Sequence, residues 1–139
     1  MYLGLDLGTS GLRGLLVQQD GTVVGSAQAT YDVQHPHVGW SEQNPADWTK
    51  ACGAVVQALR EKHSSAFTAL KGIGVSGHMH GATLLNETGQ VLRPCMLWND
   101  TRAHNQATKL DGLDGFRKTS GNIVFPGFTA PKVLWVAEH

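Results

Sequence analysis

The sequence predicts a mixed α/β fold on three observations. An alternating N-terminal segment is broken by tight-turn residues, a helix-start signal precedes one long apolar stripe, and a short apolar strand follows. Leu3, Leu5 and Leu7 alternate along Tyr2–Leu7, which places them on one face of a strand. Gly8–Gly11 is a turn of small residues, and a second strand follows at about Leu12–Gln18. Asp20-Gly21 is a strong hairpin signal because both residues accept positive φ. Thr22–Tyr31, rich in Thr, Val and Ala, completes an antiparallel three-strand meander.

Asp32–Asn44 shows no period and reads as a loop. Asn44-Pro45-Ala46-Asp47 then supplies an N-cap, a proline at the first helical position and an acid at the third. Trp48, Cys52, Val55 and Leu59 share one stripe of a helix that runs to about Lys62. Leu70–Ser76 is a short apolar strand, and Gly77–Gly81 is an irregular junction. Ala82–Leu85 and Gln90–Leu92 flank Asn86-Glu87-Thr88-Gly89 as a second hairpin. Met96–Trp98 reads as a strand, Thr101–Leu110 as weakly helical and Thr129–Glu138 as the start of a helix.

Composition narrows the class further. A chain of 139 residues predicts one domain. With 41% hydrophobic and 16% charged residues it is too apolar for a disordered tail. Lys plus Arg balance Asp plus Glu at 11 each, so there is no basic field to hold nucleic acid or an anionic membrane surface. Cys52 and Cys95 are expected as free thiols rather than a disulfide framework. The N-terminus lacks a basic segment and places Asp6 where an apolar run should continue, and the longest apolar runs are only a few residues. A cytoplasmic protein without a membrane span is expected.

Four stretches could carry chemistry. Gly72-Ile73-Gly74-Val75-Ser76-Gly77 is a literal G-x-G-x-x-G, but it lies inside a strand and opens no helix, so dinucleotide binding is not favoured. His35-x-His37 and His78-x-His80 lack the third and fourth ligands of a zinc site. At i and i+2 on a strand end, His78 and His80 would point to the same side and could share a pocket. Asp6-Leu7-Gly8-Thr9-Ser10-Gly11 places a carboxylate before a turn whose N–H groups can approach a phosphate. A like charge at ~4 Å costs roughly 4 kcal/mol at an effective dielectric of 20, unless a divalent cation lies between. Mg²⁺ takes one or two carboxylates plus phosphate oxygens, so the turn suits a Mg-nucleotide; a hairpin merely capped by Asp6 fits the spacing equally. Trp98-Asn99-Asp100 offers a sugar an aromatic face and directional acceptors, or else a core Trp followed by a helix N-cap.

Taken in order, these segments resemble the FGGY family of carbohydrate kinases. Tyr2–Gly11 is similar to the start of that family, and Trp40-Ser41-Glu42-Gln43-Asn44-Pro45 with Trp48 resembles the segment before its first long helix. Gly77-His78-Met79-His80-Gly81 resembles the Gln-Met-His-Gly segment of the family's bacterial xylulokinases, with His78 in place of Gln. Leu97–Arg102 and Gly121-Asn122 with Pro126–Trp135 resemble the two blocks after it.

The resemblance implies a ribonuclease H-like domain of the actin and hexokinase type, and transfer of the ATP γ-phosphoryl group to a sugar or polyol hydroxyl. It implies that Asp6 sits near Mg-ATP, reaching Mg through phosphate or water, and that Gly8, Thr9, Ser10 and Arg13 line the phosphate end. Met79 and His80 would contact a ketose such as D-xylulose, with Trp98, Asn99 and Asp100 nearby. Glycerol kinases carry Arg-Glu where Met79-His80 stands, which argues against glycerol. Family members are several times longer, so residues 1–139 are expected as an incomplete N-terminal domain, with the C-terminal domain absent and the catalytic base beyond His139. A homo-oligomer is expected. A non-catalytic sugar-binding or scaffold piece, another FGGY sugar or polyol kinase, and an actin-like ATPase remain the competing readings.

Overall fold

The computed structural model describes residues Met1–His139. By their internal contacts they form two compact units, Met1–Asp32 with Pro45–His78 and Val33–Asn44 with Met79–His139. The chain leaves the first unit at Val33, re-enters it at Pro45 and leaves again after His78.

In the first unit β1 (Tyr2–Leu7), β2 (Gly11–Val17) and β3 (Val23–Thr30) form the expected meander. β5 (Gly72–Ser76) joins β1 in parallel, giving the order β3-β2-β1-β5. Leu3, Leu5 and Leu12 bury one sheet face beneath α1 (Pro45–Lys62). The buried stripe of α1 is Ala51, Val55 and Leu59, with Trp48 and Cys52 half-buried. Burying a residue such as Val55 or Leu59 contributes about 1.5–3 kcal/mol. Strand and helix approach so closely that a Cβ on Gly14 would lie 2.4 Å from Val55 Cγ1. α2 (Ser64–Thr68) is too short to leave a periodic signal. Ile73 and Val75 stay exposed on β5 although that strand reads as apolar.

In the second unit β4 (Glu42–Gln43) pairs antiparallel with β6 (Cys95–Met96). β4 lies in the stretch expected to be loop, and β6 starts and ends earlier than the expected strand, which leaves Trp98 beyond it. The second hairpin is reduced to one bridge, Leu85–Val91, about a turn closed by Asn86 Oδ1, which accepts from the Thr88 and Gln90 N–H groups. α3 (His104–Asp111), α4 (Phe116–Ser120) and α5 (Thr129–Glu138) complete the unit. α3 begins later than expected and has Ala103 at its N-cap position, so neither Asn99 nor Asp100 caps it.

A buried charge cluster holds this unit together. Arg102 Nη2 lies 2.6 Å from Asp100 and Arg102 Nη1 lies 2.7 Å from Glu42, which Arg93 also reaches at 3.1 Å. The Arg102 guanidinium sits 3.5 Å above the Trp40 ring, and Trp135 meets Trp40 edge-on. No helix is long and apolar enough to cross a membrane.

Candidate functional site

In the first unit the end of β1 and the start of β2 set Asp6 opposite Arg13. Both side chains are exposed, and both line two hollows of about 510 and 400 Å³. Gly4, Gly74, Val75 and Ser76 line the larger hollow, and Gly8, Ser10, Gly11 and Thr30 the smaller. The turn between the strands is tied from inside. Gly8 N–H donates to Gly11 O at 3.0 Å, and Tyr31 Oη donates to Gly8 O at 2.7 Å. Both backbone groups of Gly8 thus shape the turn, while Ser10 is exposed at its tip. Burial, then the Asp6 charge, pushes the Tyr31 phenol up to about 12, so it stays a donor.

His78 sits against this turn. Burial pulls its pKa down, opposed by the Asp6 charge and a hydrogen bond to the Gly8 backbone. Its ring lies 5.4 Å from Trp48, and its Nε2 is buried without a partner. His80 instead stacks on Phe128 in the second unit, at 4.4 Å. β5 ends at Ser76, so neither histidine lies on the strand end that the i, i+2 spacing assumes, and His80 has φ 60°, the one positive value outside glycine.

In the second unit Met79 is 71% exposed and Trp98 51% exposed, so Trp98 is not a core residue. Asn99 is exposed and lines a hollow of about 510 Å³ with His35, His37 and Trp40. Asp100 is wholly buried; its carboxylate accepts from Ser41 N–H at 2.7 Å and from the Arg102 backbone and guanidinium. In this conformation it braces the loop that carries Trp98 and Asn99 and offers no free oxygen.

Sequence reasoning assigned no role to Lys132. Its Nζ donates to His80 O at 2.8 Å and to Leu97 O and Gly127 O at 2.7 Å each. The only signal was a lone cation in the otherwise apolar start of α5. His35 and His37 gather no further ligands, and no group of three or more His, Cys, Asp or Glu side chains converges. Asp6 thus stands as the single carboxylate of the β1–β2 turn. That donor set fits a Mg²⁺ completed by phosphate oxygens and water, and it does not fit a metal caged by protein alone.

The FGGY family of carbohydrate kinases, N-terminal domain, matches residues 1–139. A xylulose kinase of Klebsiella pneumoniae is 46% identical over 100% of this chain and 29% of its own length. The crystal structure of a xyloylose kinase from Brucella ovis superimposes with a TM-score of 0.97 at 57% identity, over 99% of this chain and 29% of that one. That of a xylulose kinase from Rhodospirillum rubrum does so with a TM-score of 0.92 at 31% identity, over 99% of this chain and 29% of that one. The chain thus spans less than a third of the length of the relatives it matches. The meander, the glycine turn behind Asp6 and the matched blocks agree on one lineage: the chain belongs to the FGGY family of carbohydrate kinases, as its N-terminal domain.

Proposed function

We propose that this chain is the N-terminal part of a kinase that transfers the γ-phosphoryl group of Mg-ATP to D-xylulose, giving D-xylulose 5-phosphate. The observation that carries the reading is its 46% identity, along its whole length, to a xylulose kinase. The exposed Asp6–Arg13 pair beside a closed glycine turn supports a role at the phosphates. The exposed Met79 and Trp98, with His80 held from behind, support a ketose site.

Phosphoryl transfer rests on positioning and charge stabilisation. Asp6 would help hold Mg²⁺ at the nucleotide, Thr9 and Ser10 would orient phosphate oxygens, and Arg13 would offset their charge. Gly8 keeps the turn tight enough for that approach. Mg²⁺ held there would supply neutralisation of the charge that develops on the phosphoryl group. On the acceptor side, Trp98 offers its face to the C–H surface of the sugar. Met79, His80 and Asn99 fix its orientation, and Asp100 braces the Trp98 loop. The general base that takes the hydroxyl proton lies in the part of the kinase that this chain does not span. The reaction belongs in the cytoplasm.

The test is an acceptor panel with Mg-ATP, reading ADP release from the full-length protein. D-xylulose should give by far the highest kcat/KM, with glycerol near background. Residues 1–139 alone should release none. A preference for glycerol or another polyol would move the protein to another branch of the family, and binding of a sugar without turnover would make it a non-catalytic sugar-binding protein.

A further inference from the structure

We infer that Lys132 is the positioning residue of the acceptor site: its ammonium ties together, from behind, the backbone of the loops that present His80 and Trp98. The inference rests on the ketose-site reading above and adds to it a residue with no direct contact to the sugar.

Three carbonyls from separate stretches of the second unit converge on one nitrogen. They are His80 O at 2.8 Å, Leu97 O at 2.7 Å and Gly127 O at 2.7 Å. An ammonium has three donors and no acceptor, so this set satisfies it completely. Two of the carbonyls adjoin residues that face outward, and the third adjoins the ring that holds His80. His80 follows the exposed Met79, Leu97 precedes the exposed Trp98, and Gly127 precedes Phe128, on which the His80 ring stacks.

His80 shows what the tie accomplishes. A non-glycine residue at φ 60° is held at a cost of order 1–3 kcal/mol and persists only where its surroundings fix it. Here the ring is fixed by Phe128 and the carbonyl by Lys132. The Trp98 side is equally constrained, because a Cβ on Gly127 would lie 2.1 Å from Trp98 O. Only glycine lets that backbone press against the Trp98 carbonyl while its own carbonyl turns to Lys132.

Stability alone gives a weak reason for a lysine at this place. Lys132 is 0% exposed, and an apolar side chain of similar length fills such a volume without the desolvation cost of a charge. Burial pulls its pKa down to about 8, with Asp100 and Cys95 favouring the charge and Arg102 opposing it, so it stays largely charged at neutral pH. What the ammonium provides, and methionine cannot, is a fixed geometry for three carbonyls.

Lys132→Met in the full-length protein tests this. KM for D-xylulose should rise by about tenfold or more while KM for ATP stays within about twofold, since loosening a positioning contact penalises the substrate it orients. A purely structural lysine would lower the melting temperature and the amount of active enzyme and leave both KM values in place. The crystal structure of the variant should show the His80 carbonyl displaced and φ returned to negative values. Unchanged His80 and Trp98 backbones in that structure, or an unchanged ketose KM, overturn the inference. If the variant does not fold, the wild-type crystal structure soaked with D-xylulose decides: all three carbonyl contacts should persist with the sugar bound, and a complex in which Lys132 has released His80 overturns it. A wild-type protein inactive on D-xylulose would remove the ketose reading, whereas the structure of Lys132→Met would still show whether Lys132 sets the His80 backbone.

Discussion

Tyr31 shows how a single hydroxyl holds the proposed phosphate turn. It spends its proton on Gly8 O, the carbonyl at the tightest point between β1 and β2. A neutral hydrogen bond of this kind contributes about 1 kcal/mol net, so Tyr31→Phe should cost about that in urea unfolding at pH 8. The alkaline behaviour has a definite sign. The unfolded phenol titrates near 10 and the folded one near 12, so between those values the folded state binds more protons and stability falls as pH rises. Tyr31→Phe should flatten that part of the pH–stability curve; an equal alkaline loss in both proteins would mean that other groups cause it. Asp100 carries a second lesson at this scale. Its residue type suits a sugar ligand, but its burial follows from Ser41 and Arg102, and no spacing rule gives that partnership. Lys132 was hidden for the same reason, because its three acceptors are spread from His80 to Gly127.

Among the elements, the sheet-on-helix layer was the most legible. Alternating leucines, Asp20-Gly21 and Asn44-Pro45 are local signals, and β1, β2, β3 and α1 lie where those signals put them. β4 and β6 were not legible as a pair, because two-residue strands carry no period and exist through partners some fifty residues away in the chain. The contact between β2 and α1 yields a direct expectation. Gly14→Ala places a Cβ against Val55 and Leu59, both fully packed. Overpacking of this kind typically costs about 1–3 kcal/mol, so the midpoint of chemical unfolding should fall. Combining it with Val55→Ala should recover part of the loss, and no recovery would place the strain elsewhere.

For the whole molecule, the family was legible through linked sequence blocks rather than through any single motif. The G-x-G-x-x-G at Gly72–Gly77 illustrates the difference: it lies within β5 and along the junction after it, with no helix behind it. Under the proposed function, the two ends of one reaction fall to separate groups of residues, Asp6, Ser10 and Arg13 at the phosphates and Met79, His80 and Trp98 at the ketose. Steady-state kinetics of the full-length protein, with D-xylulose and Mg-ATP varied against each other, test that division most directly. Trp98→Ala should raise KM for D-xylulose by about tenfold and leave KM for ATP nearly unchanged, as expected for loss of a binding face. Asp6→Asn should lower kcat by about a hundredfold or more, as expected where several kcal/mol of metal-derived stabilisation is lost, with little change in KM for D-xylulose. If Trp98→Ala weakens ATP as much as the ketose, or Asp6→Asn keeps its turnover and its Mg²⁺ dependence, the assignment of these residues to sugar and phosphate is contradicted.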